Sequence, residues 1–221
     1  MSTFEPHWEA LPAEQRAIWP ELGASIKLGF VLYSGTAVAL RLAHRRSVDF
    51  DFFTEHELDR ESLQSGFRFL RASKVIQDRP DSLSVLAPSS NQAVKISFFG
   101  GITIGRAGMP ERTTDGVVQV ASLLDLLATK LKVMQQRIEV KDYCDIAAIL
   151  SAGIALEDGL AAATGMYGSS FQPTEATKAL SYFEGGDLTE LSSDERRILV
   201  QAVTRLRNIP ILPLVSKSLS S

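Results

Sequence analysis

"LYSGTAVALRLAHRRSVDFDFFTEHEL", residues 32–58, carries the pattern on which the fold turns. Within it Asp49 and Asp51 sit one residue apart in an otherwise apolar run, Val48 to Phe53. Successive side chains of a strand point to opposite faces. A strand that buries Val48, Phe50 and Phe52 therefore presents Asp49 and Asp51 together on its other face, roughly 6.5–7 Å apart along the chain. Two like charges so placed repel unless something positive lies between them. Magnesium suits the gap, because it takes oxygen ligands, usually one or two carboxylates completed by substrate phosphates and waters. The plainer alternative is an edge strand with a solvated acidic face, and D-x-D alone does not separate the two.

The segment upstream of the pair separates them. A short apolar strand, "FVLYS" (30–34), runs into a turn at Gly35 and Thr36 and then into a helix, "AVALRLAHR". A strand entering a helix through glycine makes an anion site: backbone can approach a phosphate, and the helix N-terminus offers free N–H groups and a partial positive charge. Ser34 and Thr36 add hydroxyl donors. Phosphate at Ser34, Gly35 and Thr36 with a metal on Asp49 and Asp51 fits one ligand, a nucleoside triphosphate with magnesium. The basic run His44-Arg45-Arg46 ends the intervening helix. Cations there suit the helix dipole; the functional alternative is a contact from one of them, such as Arg46, to substrate phosphate or RNA.

A second cluster lies in "ATKLKVMQQRIEVKDYCDIAAIL". Lys130 interrupts the apolar stripe of Leu123, Leu126, Leu127 and Leu131, and Lys130, Met134 and Arg137 share a helix face. Asp142 and Asp145 stand one turn apart on the next helix, where Lys141 is spaced to pair with Asp145. The ordinary reading is a solvated helix pair with weak ion pairs.

Around these motifs the chain divides in two. "PAEQRAIWPELGASIKLG" (12–29) is a helix that Pro20 kinks or splits. "DRESLQSGFRFLRAS" (59–73) is a helix capped by Asp59. "KVIQDR" (74–79), "SLSVLAP" (82–88) and "AVKISFF" (93–99) are strands, the first two joined as an antiparallel hairpin by "RPDS". "GRAGMPERTTDG" (105–116) is a surface loop. Beyond it five helical patterns follow, at 122–137, 141–153, 156–168, 173–186 and 193–207. The expected domains are 1–120, α+β, and 121–221, helical. The composition is that of a globular protein, with 45% hydrophobic and 22% charged residues. A net charge of −3 does not mark a dedicated nucleic-acid binder. No apolar run is long enough for a bilayer, no signal pattern opens the chain, and one cysteine, Cys144, forms no intramolecular disulfide. The expected location is the cytoplasm.

Both motifs together, "LYSGTAVALRLAHRRSVDFDFF" and "DLLATKLKVMQQRIEVKDYCDIAAIL", resemble the AbiEii/AbiGii nucleotidyltransferase family, toxins built on the polymerase-β-like nucleotidyltransferase core. The resemblance implies an α+β core with a small mixed sheet flanked by helices, followed by a C-terminal helical bundle that completes the active-site cleft. It implies an enzyme that moves a nucleoside monophosphate from an NTP to an acceptor hydroxyl on RNA, tRNA included, or on protein, with Mg2+. A cognate antitoxin would be its partner. By the same resemblance Ser34, Gly35 and Thr36 hold triphosphate, Asp49 and Asp51 the metal, Lys130 binds phosphates, and Asp142 or Asp145 completes the pocket. Two positions depart from the pattern. Ser34 replaces the first residue of a Gly-Gly-Thr turn, a mild change if its φ is negative. Ser97 occupies the place of a third carboxylate, whose role as base Asp142 or Asp145 would then take. The rival readings are a nucleotide-binding module without turnover and an α+β interaction scaffold.

Overall fold

The computed structural model describes residues 2–220, in two compact units. The first comprises residues 2–105, 109–121 and 217–220; the second, residues 106–108 and 122–216.

The first unit is built on one mixed sheet. Its strands are β1 (Thr3–Phe4), β2 (Val31–Tyr33), β3 (Asp49–Phe53), β4 (Lys74–Arg79), β5 (Ser82–Ala87), β6 (Val94–Phe99), β7 (Glu111–Thr113) and β8 (Gln119–Val120), in the order β1-β7-β8-β2-β3-β6-β5-β4. β3 lies between β2, antiparallel to it, and β6, parallel to it. Phe50, Phe52 and Phe98 are fully buried on one face, where Phe52 and Phe98 stack at 5.7 Å and Phe30 and Phe67 close around Phe98. Burial of such rings is worth roughly 1.5–3 kcal/mol each. That sum sets the register of β3, since a slip of one residue would bury both aspartates instead. Val48 does not join this core: it precedes the strand, is 55% exposed, and gives its carbonyl to the buried Gln15 side chain.

Helix α1 (Ala13–Ile18) ends before Pro20, a 3-10 turn spans Trp19–Gly23, and α2 (Ala24–Lys27) follows, so the proline splits the helix. Helix α3 (Ser34–Leu42) starts earlier than the sequence suggests: Gly35 and Thr36 lie in its first turn rather than before it. It stops at Ala43, a left-handed C-cap. Helix α4 (Arg60–Gly66) is capped by Asp59, whose carboxylate accepts from Glu61 N at 3.0 Å. The expected continuation breaks at Phe67, buried with the core aromatics, into a 3-10 turn, Arg68–Ala72. The supposed loop 105–116 contains β7. This strand escapes the sequence because it is three residues long and polar, and its support is tertiary: Arg41 on α3 reaches Glu111 at 2.6 Å and the Ala121 carbonyl at 3.0 Å.

The second unit holds α5 (Leu123–Val133), α6 (Val140–Ser151), α7 (Leu156–Tyr167), α8 (Pro173–Ala179) and α9 (Ser193–Arg205). Gly159 on α7 lets that helix approach α5 closely, since a Cβ there would lie 2.4 Å from Leu127 Cδ2. Asp125, buried in the first turn of α5, accepts from Ala107 N at 2.7 Å and Gly108 N at 3.2 Å, which ties residues 106–108 to the helices. No single helix among the described residues is long and apolar enough to cross a membrane.

Candidate functional site

The site in the sheet unit starts at the C-terminal end of β2. Tyr33 is the last strand residue and stands opposite Asp51. The next residue, Ser34, has φ 67°, in the left-handed region that favours glycine, and helix α3 begins there. A left-handed residue followed by helical ones points successive N–H groups into one concavity, an anion-binding nest at a helix N-terminus. A side chain in this conformation costs about 1–2 kcal/mol relative to the right-handed region. Because φ is positive, the exchange of glycine for serine is not mild: the chain carries strain that glycine would avoid.

The Ser34 side chain supplies a compensation. Its hydroxyl lies near enough to the Asp51 carboxylate to favour the charged form, and so does the Ser97 hydroxyl from β6. Asp51 is held above the usual carboxylate range, first because burial disfavours its charge and also because Asp49 lies near. The two hydroxyls and the Lys95 charge oppose that shift. Parallel pairing of β3 with β6 sets Asp49 opposite Lys95 and Asp51 opposite Ser97. Lys95 Nζ lies 3.7 Å from Asp49 Oδ2, and Ser97 Oγ is 3.1 Å from Ser84 Oγ on β5. Asp49, Lys95, Gln15 and Gln92 contribute to the wall of a cavity of about 260 Å³.

The other residues expected near phosphate are placed as follows. Gly35 is buried in the first turn of α3. Thr36 is 1% exposed, and its hydroxyl is engaged inside the unit: it donates to the Asp49 carbonyl and shares a 2.8 Å hydrogen bond with Ser47 Oγ. Thr36 thereby pins the start of α3 to the start of β3. Arg46 is exposed in the α3–β3 connection, beyond the end of the helix.

The structure brings Lys130, Asp142 and Asp145 together in the helical unit. Lys130 Nζ lies 2.7 Å from Asp142 Oδ1 and 2.5 Å from Asp145 Oδ2. Arg137 Nε adds a bond of 2.9 Å to Asp142 Oδ2. Lys130 is 4% exposed and both aspartates are fully buried, so this is not a solvated helix pair. Burial alone would raise Asp142, but the charges and hydrogen bonds of Lys130 and Arg137 outweigh it and hold the group below its ordinary value. Lys141 pairs with Glu139 at 2.8 Å rather than with Asp145, whose carboxylate Lys130 already engages.

The donor chemistry in the sheet unit fits a hard divalent cation: two carboxylates on one strand face, with hydroxyls beside them. It does so sparingly, for no group of three or more acidic, histidine or cysteine side chains suited to a metal occurs among the described residues. Lys95 is the member of this site that the sequence reading passed over. The signal was present, as a cation alternating with apolar residues in "VKISFF", but only strand pairing sets it against Asp49.

Comparison with known proteins bears on the family and the fold. An uncharacterised protein of Aquifex aeolicus is 31% identical over 139 residues, 62% of this chain; the match spans 65% of that protein's own length. The solved structure of MenT4, a nucleotidyltransferase toxin from Mycobacterium tuberculosis, superposes with a TM-score of 0.54 at 12% identity, covering 91% of this chain and 94% of that one, and so shares its fold. The family model described as nucleotidyl transferase AbiEii toxin, type IV toxin–antitoxin system, matches residues 24–206, which include the Ser34 turn, the Asp49/Asp51 strand and the Lys130 cluster, and the chain belongs to that family.

Proposed function

We propose that this protein is a magnesium-dependent nucleotidyltransferase that moves a nucleoside monophosphate from an NTP to a hydroxyl of an RNA acceptor, as the toxin of a toxin–antitoxin pair. The observation that carries the reading is Ser34. A non-glycine residue held at positive φ, at the head of a helix, with its hydroxyl beside a carboxylate of the neighbouring strand, links an anion nest to an oxygen-donor pair.

In this reading the N–H groups at the start of α3 hold the triphosphate, and Asp49 and Asp51 hold the cation that accompanies it. Bound magnesium would neutralise charge on the phosphates and polarise the phosphoryl group. Ser34 and Ser97 orient the Asp51 carboxylate. The acceptor oxygen forms a bond to the α-phosphorus, the bond to the bridging oxygen breaks, pyrophosphate leaves, and the acceptor proton passes to water. Positioning and charge neutralisation supply most of the catalysis in such transfers. Extending the reading to Lys130 as a phosphate ligand requires phosphate to draw it from two carboxylates within 2.7 Å. Ser97, a hydroxyl opposite Asp51 where a further carboxylate would strengthen metal binding, favours the second reading, a nucleotide-binding module without turnover.

Incubation with each labelled NTP, magnesium and total RNA decides between them. Label on RNA supports transfer. A magnesium-dependent thermal shift without labelling supports the binding module. No shift and no label removes both.

A further inference from the structure

The charge arrangement around Asp49 and Asp51 goes further than nucleotide binding. Phosphoryl-transfer sites with two metal ions hold them about 3.5–4 Å apart, clamped by shared acidic ligands. Here the strand pair offers two carboxylates, and the position opposite Asp49 is taken by an ammonium group. Lys95 Nζ is 3.7 Å from Asp49 Oδ2 and acts electrostatically on Asp51 as well. Cross-strand partners share a sheet face, so Lys95 and Ser97 stand on the same face as the two aspartates. Two carboxylates and one ammonium sum to −1, which one divalent ion already overcompensates. A second ion beside Asp49 would meet the Lys95 charge at a few ångströms and find no third acidic ligand among the described residues.

We infer that the site takes one divalent cation with each bound NTP, and that Lys95 Nζ supplies beside Asp49 the positive charge a second ion would bring. The inference rests on the nucleotidyltransferase reading above and deepens it. Lys95 thus becomes a phosphate-facing residue of the reaction. Its side chain is 42% exposed, which leaves it free to turn toward an incoming triphosphate.

Manganese is a suitable probe, because free Mn2+ is counted directly by electron paramagnetic resonance. The full chain is titrated with Mn2+ and a non-hydrolysable NTP analogue, and bound Mn2+ per bound nucleotide is measured. Wild type is expected to bind one. Lys95→Met should still bind one while analogue affinity falls about ten- to a hundredfold, the scale of a lost charge-assisted contact, and Lys95→Arg should recover most of it. Lys95→Glu, which sets a third carboxylate against Asp49, should bind two. Lys74→Met, on the outer strand of the sheet, should change nothing. Two Mn2+ per nucleotide in wild type, or unchanged analogue affinity in Lys95→Met, overturns the inference and leaves the nucleotidyltransferase reading standing. No binding of Mn2+ with the analogue by wild type overturns both.

Discussion

Ser34 and Asp51 face each other across the end of the β2–β3 pair: the serine hydroxyl favours the charged carboxylate from a residue whose backbone stands at φ 67°. The contact and the strain make opposite demands on the side chain, and substitution separates them. Ser34→Gly removes both and should leave the protein as stable as wild type or more so. Ser34→Ala keeps the strain and loses the contact, and should be less stable than the glycine variant by about 1–2 kcal/mol. Urea unfolding measures the gap; equal midpoints for the two variants would mean that the backbone there is not strained.

Asp51→Asn retains an acceptor for the Ser34 and Ser97 hydroxyls and removes a charge that burial and Asp49 disfavour. Melting temperature should stay level or rise, while nucleotidyl transfer disappears. In wild type, NTP with magnesium at a hundredfold excess over its dissociation constant should stabilise the fold by about 2.7 kcal/mol, and NTP alone by much less, because the triphosphate then faces both aspartates directly. A drop of several degrees in Asp51→Asn with transfer retained would make the aspartate pair structural.

Lys130 joins two buried carboxylates, so Lys130→Ala leaves them without their cation and should cost about 3–5 kcal/mol, read from chemical denaturation. Lys130→Arg preserves the charge and is the variant in which NTP affinity reports on phosphate contact. The same cluster predicts a pH dependence. Asp142 titrates below its ordinary value when folded, so it binds fewer protons folded than unfolded between the two pKa values. Its contribution is present above the unfolded carboxylate pKa of about 3.9 and is lost as pH falls through the lower folded value. Asp142→Asn should be less stable at pH 7 and lose less on acidification. Parallel stability curves for the two proteins between pH 6 and pH 3 would contradict this.

Gly108 lies against the cap of α5, where an added Cβ would sit 2.2 Å from Ser122 Oγ. Ser122 caps the helix by accepting from Asp125 N at 3.0 Å, and Gly108 N binds the Asp125 carboxylate. Gly108→Ala should therefore displace the cap and cost about 1–3 kcal/mol, the range for overpacking. Gly116→Ala, where a Cβ meets no atom within 4 Å, is a comparison in which only a positive φ is tested. A smaller loss at Gly108 than at Gly116 would mean that the clash with Ser122 is relieved at little cost.

Much of this fold is legible in the sequence because its elements are periodic. The alternation of Phe50 and Phe52 with Asp49 and Asp51 places the strand and its two faces, Pro20 predicts the split helix, and Asp59 predicts a cap, all through forces acting within a few residues. What depends on distant partners is decided by tertiary structure alone. The three-residue β7 is polar and exists through its neighbours and Arg41; Phe67 breaks a helix by entering the aromatic core; Val48 leaves the core once the strand begins at Asp49. The site divides in the same way. Residue types and spacing mark Ser34, Asp49 and Asp51 as candidates in the sheet unit, and Lys130, Asp142 and Asp145 as candidates in the helical unit. The positive φ of Ser34, the commitment of Thr36 to Ser47 and Asp49, and the placement of Lys95 against Asp49 follow from strand pairing and packing. No local pattern encodes these, because the residues that meet are up to about fifty positions apart in the chain and are brought together by the burial of the opposite face.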